Sequence, residues 1–131
     1  MLILPDSSCW IEFFRPHGDL QIQQAVRVWL SADQVALCGP VRAEVLRGAR
    51  KNEIARVRTA FGALHYLETV DDDWATIADK ARELSDKGQN VPLMDVLVSV
   101  VAVRNNATVA HKDGHFEAIA TVMAVTTHSF L

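Results

Sequence analysis

Short apolar runs alternate with longer amphipathic stretches along the whole chain, and this alternation leaves few folds open. Leu2-Ile3-Leu4 is an apolar run closed by Pro5-Asp6, the form of a buried strand. Gln34 to Cys38 reads as a second strand, Tyr66 to Val70 as a third, Thr108 to His111 as a fourth and Met123 to Thr127 as a last. Between them the apolar residues take helical spacing. Ser7 and Ser8 can cap a short helix carrying Trp10, Ile11, Phe13 and Phe14, and Ile22, Ala25, Val26 and Trp29 mark a helix from Asp19 to Leu30. Gly39-Pro40 opens another that runs to about Lys51, and Ile54, Val57, Phe61 and Leu64 mark the next. Asp71, Asp72 and Asp73 suit the N-terminus of a helix with Trp74, Ile77, Ala78, Ala81 and Leu84, and Asp113 to Ala120 reads as a short helix. Such alternation predicts an α/β fold with a mostly parallel sheet of about five strands. No linker, repeat or low-complexity segment interrupts it, so a single domain over 1–131 is expected.

One segment pulls two ways. Pro92 to Val103 is rich in valine, which favours strand. It is long for a strand, opens with a proline suited to a helix start and ends at Arg104-Asn105-Asn106, so the expectation is a helix buried on most sides.

A hydrophobic content of 50% supplies a core, and 22% charged residues argue against disorder. The net charge of −3 gives no global pull toward nucleic acid, although it counts carboxylates that a bound cation would offset. Cys9 and Cys38 lie in apolar surroundings without zinc-like spacing and read as free thiols of a reducing compartment. The opening residues lack the form of a signal peptide, and no apolar run approaches the roughly 20 residues that span a bilayer, so a cytoplasmic protein without membrane contact is expected.

The chemistry shows where acids interrupt apolar patterns. Asp6 ends the first strand and Asp113 follows the fourth, both at the edge where open α/β sheets bind ligands. Glu44 shares a helix face with Val41, Val45 and Gly48, and Asp95 shares one with Val91, Val98 and Ala102. Each has an ordinary reading taken alone. Asp6 suits a cap or turn, Asp113-Gly114 a turn, Glu44 an ion pair with a nearby arginine, and Asp95 the first turns of a helix. Burying an ionised carboxylate without a partner is costly, and four converging ones would repel unless a cation neutralised them. Oxygen ligands without cysteine or a helical histidine pair suit Mg2+ or Mn2+, which points to phosphodiester hydrolysis.

Four blocks carry a family resemblance. Leu-Ile-Leu-Pro-Asp-Ser-Ser-Cys-Trp-Ile (2–11) resembles the opening of PIN domains, and Arg-Ala-Glu-Val-Leu-Arg-Gly (42–48) resembles their glutamate helix. Pro-Leu-Met-Asp-Val-Leu-Val-Ser (92–99) and Asp-Gly-His-Phe-Glu-Ala-Ile-Ala (113–120) are similar to the segments bearing their third and fourth acids. The small size is most similar to the VapC-type toxins of toxin–antitoxin pairs. The resemblance implies a three-layer α/β/α sandwich, an endoribonuclease dependent on Mg2+ or Mn2+, RNA as substrate, a homodimer and a small cognate antitoxin. By position it implies that Asp6, Glu44, Asp95 and Asp113 are the metal-binding and catalytic acids, with Ser7 supporting them.

The pattern departs at two positions. His111 stands where the family often has Ser or Thr, and His115 where it often has another acid. His115 is open to three readings: a ligand, a proton carrier or a surface substitution. The two histidines also keep open a noncatalytic PIN-like module that binds RNA or protein. Arg42, Arg47, Arg50, Lys51, Arg56 and Arg58 crowd one stretch, either a solvated helix surface or a rim for phosphates or an acidic partner. Arg47, Arg50 and Lys51 are the RNA-binding candidates.

Overall fold

The computed structural model describes residues 1–131. Strands are β1 (Leu2–Pro5), β2 (Ala36–Cys38), β3 (His65–Leu67), β4 (Ala107–His111) and β5 (Thr127–Ser129). Helices are α1 (Ser7–Phe14), α2 (Leu20–Ser31), α3 (Gly39–Gly48), α4 (Ile54–Gly62), α5 (Asp71–Asp86), α6 (Leu93–Arg104) and α7 (His115–Ile119).

Every strand pairing is parallel. β1 pairs with β4 and β4 with β5, while β2 pairs with β3. A parallel bridge between Ile3 and Val35 joins the two groups, backed by the Ile3 amide donating to the Gln34 carbonyl at 2.7 Å. The strand order is therefore β3-β2-β1-β4-β5. The chain leaves β1 on one side toward β2 and later returns on its other side as β4. Open α/β sheets usually bind ligands beyond the carboxyl ends of the strands at such a reversal, here β1 and β4.

Both faces of the sheet are covered. Successive residues of a strand point to opposite faces, and the neighbours Ile3 and Leu4, Ala36 and Leu37, and Val109 and Ala110 are all buried. Helices α1 to α4 pack on one another, and so do α5 to α7. A contiguous core of 29 buried residues runs between them. α6 is a helix, as expected, and Val96 through Ala102 are all buried. Its valines follow from burial against β4, α5 and α7, which overrides their strand preference. No helix is long and apolar enough to cross a membrane.

Several boundaries differ from the sequence reading. Asp6, rather than Ser7 or Ser8, caps α1, because its carboxylate accepts the Cys9 amide. α3 stops at Gly48, leaving Arg50 and Lys51 outside the helix. β3 ends at Leu67, since its partner β2 ends at Cys38 where α3 begins. The last strand is Thr127–Ser129 instead of Met123 to Thr127. The amides of Val122 and Met123 still bond back to Ile119, and β4 sets the register at Val109 and Thr127. α7 begins at His115, whose amide donates to the Asp113 carboxylate at 3.0 Å, so Asp113 lies just outside the helix.

Candidate metal centre

The backbone brings four acids toward this end of the sheet, and among them Asp95 and Asp113, with His115, have ligand atoms within 4.8 Å of one another. Asp6 follows β1 directly, and its own amide donates to the Ala110 carbonyl of β4 at 2.9 Å. Asp113 follows β4 in the turn into α7. Glu44 comes from α3, which starts as β2 ends, and Asp95 sits in the first turn of α6. Asp6 feels the charges of Asp95 and Asp113, and Asp95 those of Asp113 and Glu44, so the four share one electrostatic neighbourhood.

Each acid is held by polar neighbours, hydroxyls and one histidine, rather than by a lysine or arginine. The Ser7 hydroxyl donates to Glu44 Oε2 at 2.8 Å. The Ser8 hydroxyl donates to Asp6 Oδ1 at 2.5 Å and its oxygen accepts the Lys112 amide at 2.9 Å, tying α1 to the end of β4. His115 Nδ1 lies 3.0 Å from Asp95 Oδ2 and 3.1 Å from Asp113 Oδ1. No lysine or arginine pairs with any of the four. Lys112, the nearest in sequence to Asp113, turns its ammonium to Asp19 at 3.2 Å.

The contrast with Asp73 shows what is missing. Asp73 is also buried, but Arg104 holds it through Nε and Nη2 at 2.9 Å each. Burial raises the Asp73 pKa, yet the arginine bonds outweigh it and the net value falls. Asp6, 4% exposed, has no such partner. Burial pushes its carboxyl up to about 7, the charges of Asp95 and Asp113 add to the rise, and the bonds from Ser8 and Cys9 only partly offset it. Asp95 is raised as well, first by burial and then by Asp113 and Glu44, against the lowering effect of His115. Buried acids without a basic partner are candidates for holding a cation.

His111 has a different role from His115. It is fully buried, with its ring tilted against Phe116 at 5.0 Å between centroids, and its Nδ1 accepts the Asp113 amide at 3.2 Å. Burial lowers its pKa, so the ring is neutral and fixes the turn that presents Asp113. Both cysteines are buried and free. Burial raises both thiols, Cys38 to about 11, so neither is a nucleophile near neutral pH.

The basic candidates are not gathered with the acids. Arg47 lies in the last turn of α3, one helical turn beyond Glu44. Arg50 faces Glu53 at 3.9 Å and, with Arg15, Ile11, Phe14, Val45 and Val57, lines a cleft of about 210 Å3. Lys51 is exposed in the turn after α3. A second cleft of about 400 Å3 holds Arg42 and Arg58, with the Arg42 guanidinium 4.8 Å above the Tyr66 ring. Neither that cleft nor the Ser8 link was read from the sequence. A hydroxyl two residues after a strand-ending Asp is a pattern that could have indicated the latter.

Comparison with known proteins identifies the family. The family model described as PIN domain matches residues 3–122. A VapC ribonuclease of Mycobacterium bovis and Ribonuclease VapC11 of Mycobacterium tuberculosis are each 31% identical over 98% of this chain and 99% of their own. Among solved structures, FitAB bound to a DNA fragment superposes with a TM-score of 0.80 at 20% identity, covering 98% of this chain and 94% of that one. DNA-bound VapBC from Salmonella typhimurium gives 0.78 at 17% identity with both chains covered in full. The family model matched over residues 3–122 and the 31% identity to these relatives show that this chain belongs to the PIN-domain family.

Proposed function

We propose that the chain is a metal-dependent endoribonuclease, the toxin of a toxin–antitoxin pair, acting as one domain in the cytoplasm. The observation that carries the reading is the set of four acids at one end of the sheet, none paired with an arginine or lysine and Asp6 with its pKa raised to about 7. The names of the relatives, VapC ribonucleases, support RNA as the substrate. The oxygen-rich donor set of Asp6, Glu44, Asp95 and Asp113 fits Mg2+ or Mn2+. Bound there, such an ion supplies a Lewis acid for a phosphoryl oxygen and lowers the pKa of a water.

The chain's own residues do the rest. Ser7 holds Glu44 and Ser8 holds Asp6, so both carboxylates keep their place through turnover. His111 and the Asp113–His115 turn fix the fourth acid. Arg47, Arg50 and Lys51 contribute phosphate contacts along the RNA, which add affinity without base choice. A small antitoxin docks at the cleft between α1, α3 and α4, where exposed Ile11 lies beside Phe14 and Val45. The active form is a homodimer.

The test is RNA cleavage by the purified protein with Mg2+ or Mn2+, with EDTA, and with Asp95→Asn. Cleavage in metal alone, abolished by EDTA and by the variant, is expected; full activity in EDTA overturns the mechanism.

A further inference from the structure

We propose that His115 is itself a ligand of the cation, a nitrogen donor that makes this centre favour Mn2+ over Mg2+. The inference rests on the reading that the four acids hold a divalent ion and adds the donor that selects which one.

The imidazole is placed for this role. His115 Nδ1 lies 3.0 Å from Asp95 Oδ2 and 3.1 Å from Asp113 Oδ1, and ligand atoms of all three residues fall within 4.8 Å of one another. Adjacent ligands of an octahedral ion with bonds of about 2.1 Å stand about 3.0 Å apart. The two carboxylates come from different elements, α6 and the turn after β4, and Nδ1 has no other partner. The backbone that carries the ring is fixed as well, because the His115 amide donates to Asp113 Oδ1 at 3.0 Å at the first residue of α7. Its neighbour Phe116 is fully buried, which anchors that helix in the core. The side chain is half-buried, open enough to admit an ion and its waters.

The donor type then decides the metal. Mg2+ is a hard ion that takes oxygen ligands and gives up its waters reluctantly, whereas imidazole suits transition metals. Mn2+ accepts both carboxylate oxygen and imidazole nitrogen, so a mixed set of Asp95, Asp113 and His115 moves the preference toward it. Even partners one shell out from a metal are worth about tenfold in affinity, so losing a direct donor costs at least as much.

The experiment uses the full-length metal-free protein, titrated calorimetrically with MnCl2 and with MgCl2, for wild type, His115→Asp and His115→Ala. Pulsed EPR of the Mn2+-loaded wild type reads nitrogen coupling directly. The expected results are coupling from one imidazole in wild type and none in either variant. The ratio of Mn2+ to Mg2+ affinity should also fall in His115→Asp, where an oxygen donor replaces the nitrogen. Mn2+ bound to wild type without nitrogen coupling, or an unchanged ratio in His115→Asp, overturns the proposal and leaves His115 as an ion-pair partner of Asp95 and Asp113. Should the variants fail to fold, the wild-type spectrum alone decides. If wild type binds neither ion, the metal-dependent reading itself falls, a result distinct from binding without nitrogen coupling.

Discussion

Replacing Asp6 with Asn should stabilise the metal-free protein, and only at the upper end of the pH range. Asp6 caps α1 through Oδ1, which accepts from the Ser8 hydroxyl at 2.5 Å and from the Cys9 amide at 3.4 Å. Asn offers the same oxygen and is as good a cap, so the substitution removes the charge and keeps the bonds. The folded-state pKa is about 7 against 3.8 for the free group. A gap of about three units corresponds to about 4 kcal/mol, an upper bound for a carboxyl coupled to other acids. Because the folded value is the higher one, the contribution is fully present below pH 3.8 and is lost as the pH rises through about 7. Urea denaturation in EDTA at several values from pH 4 to pH 8 should give equal stabilities for the two proteins at the acid end. At the basic end Asp6→Asn should be the more stable by about 2 to 4 kcal/mol. Taking the difference between the proteins cancels the titration of groups they share. Added Mn2+ should stabilise wild type at pH 8 and leave the variant behind. A difference that does not change with pH, or a variant less stable at pH 8, would refute the claim that burial without a cation sets the state of Asp6.

Three further outcomes follow from named contacts. Asp95→Asn should abolish cleavage while the metal-free protein melts at the same or a higher temperature, since it removes one charge from the acid cluster; a clear loss of folding would make Asp95 a structural residue. Changing Arg47, Arg50 and Lys51 together to Ala, in an Asp95→Asn background, should weaken RNA binding and flatten its salt dependence by about one slope unit per lost contact; unchanged lines across a salt series would mark a solvated surface. Gly18→Ala should cost about 2 kcal/mol or more in urea denaturation, because its Cβ would stand 1.9 Å from the Glu12 carbonyl oxygen; a neutral result would mean that this turn yields easily.

The fold was legible because each strand is short, apolar and followed by a helix with its own signal. Asp6 and Asp113 could be placed at one edge from the strands before them, and Glu44 and Asp95 from the faces they interrupt. Even α6 could be read, since its length and its proline start outweighed its valines. Boundaries were less legible where pairing partners set them. β3 stops because β2 stops, and β5 starts where β4 has backbone to offer, which neither segment encodes by itself. The links among the acids were also hidden, because Ser8 meets Lys112 and His115 meets Asp95 across long stretches of sequence. Position alone could mark His115 as a departure from the family pattern, but only the structure shows the two carboxylates it faces. The basic stretch was the least legible. Its residues share a segment of sequence, yet α3, the following turn and α4 send Arg42 and Arg50 into different clefts.

The central claim is that the four acids hold a divalent cation, and diffraction from crystals grown with MnCl2 tests it most directly. An anomalous difference map collected near the manganese edge should show a peak within coordination distance of Asp6, Glu44, Asp95 and Asp113, and the peak should vanish in Asp95→Asn crystals. A map with no peak at those acids, at manganese concentrations that support RNA cleavage, would contradict the account.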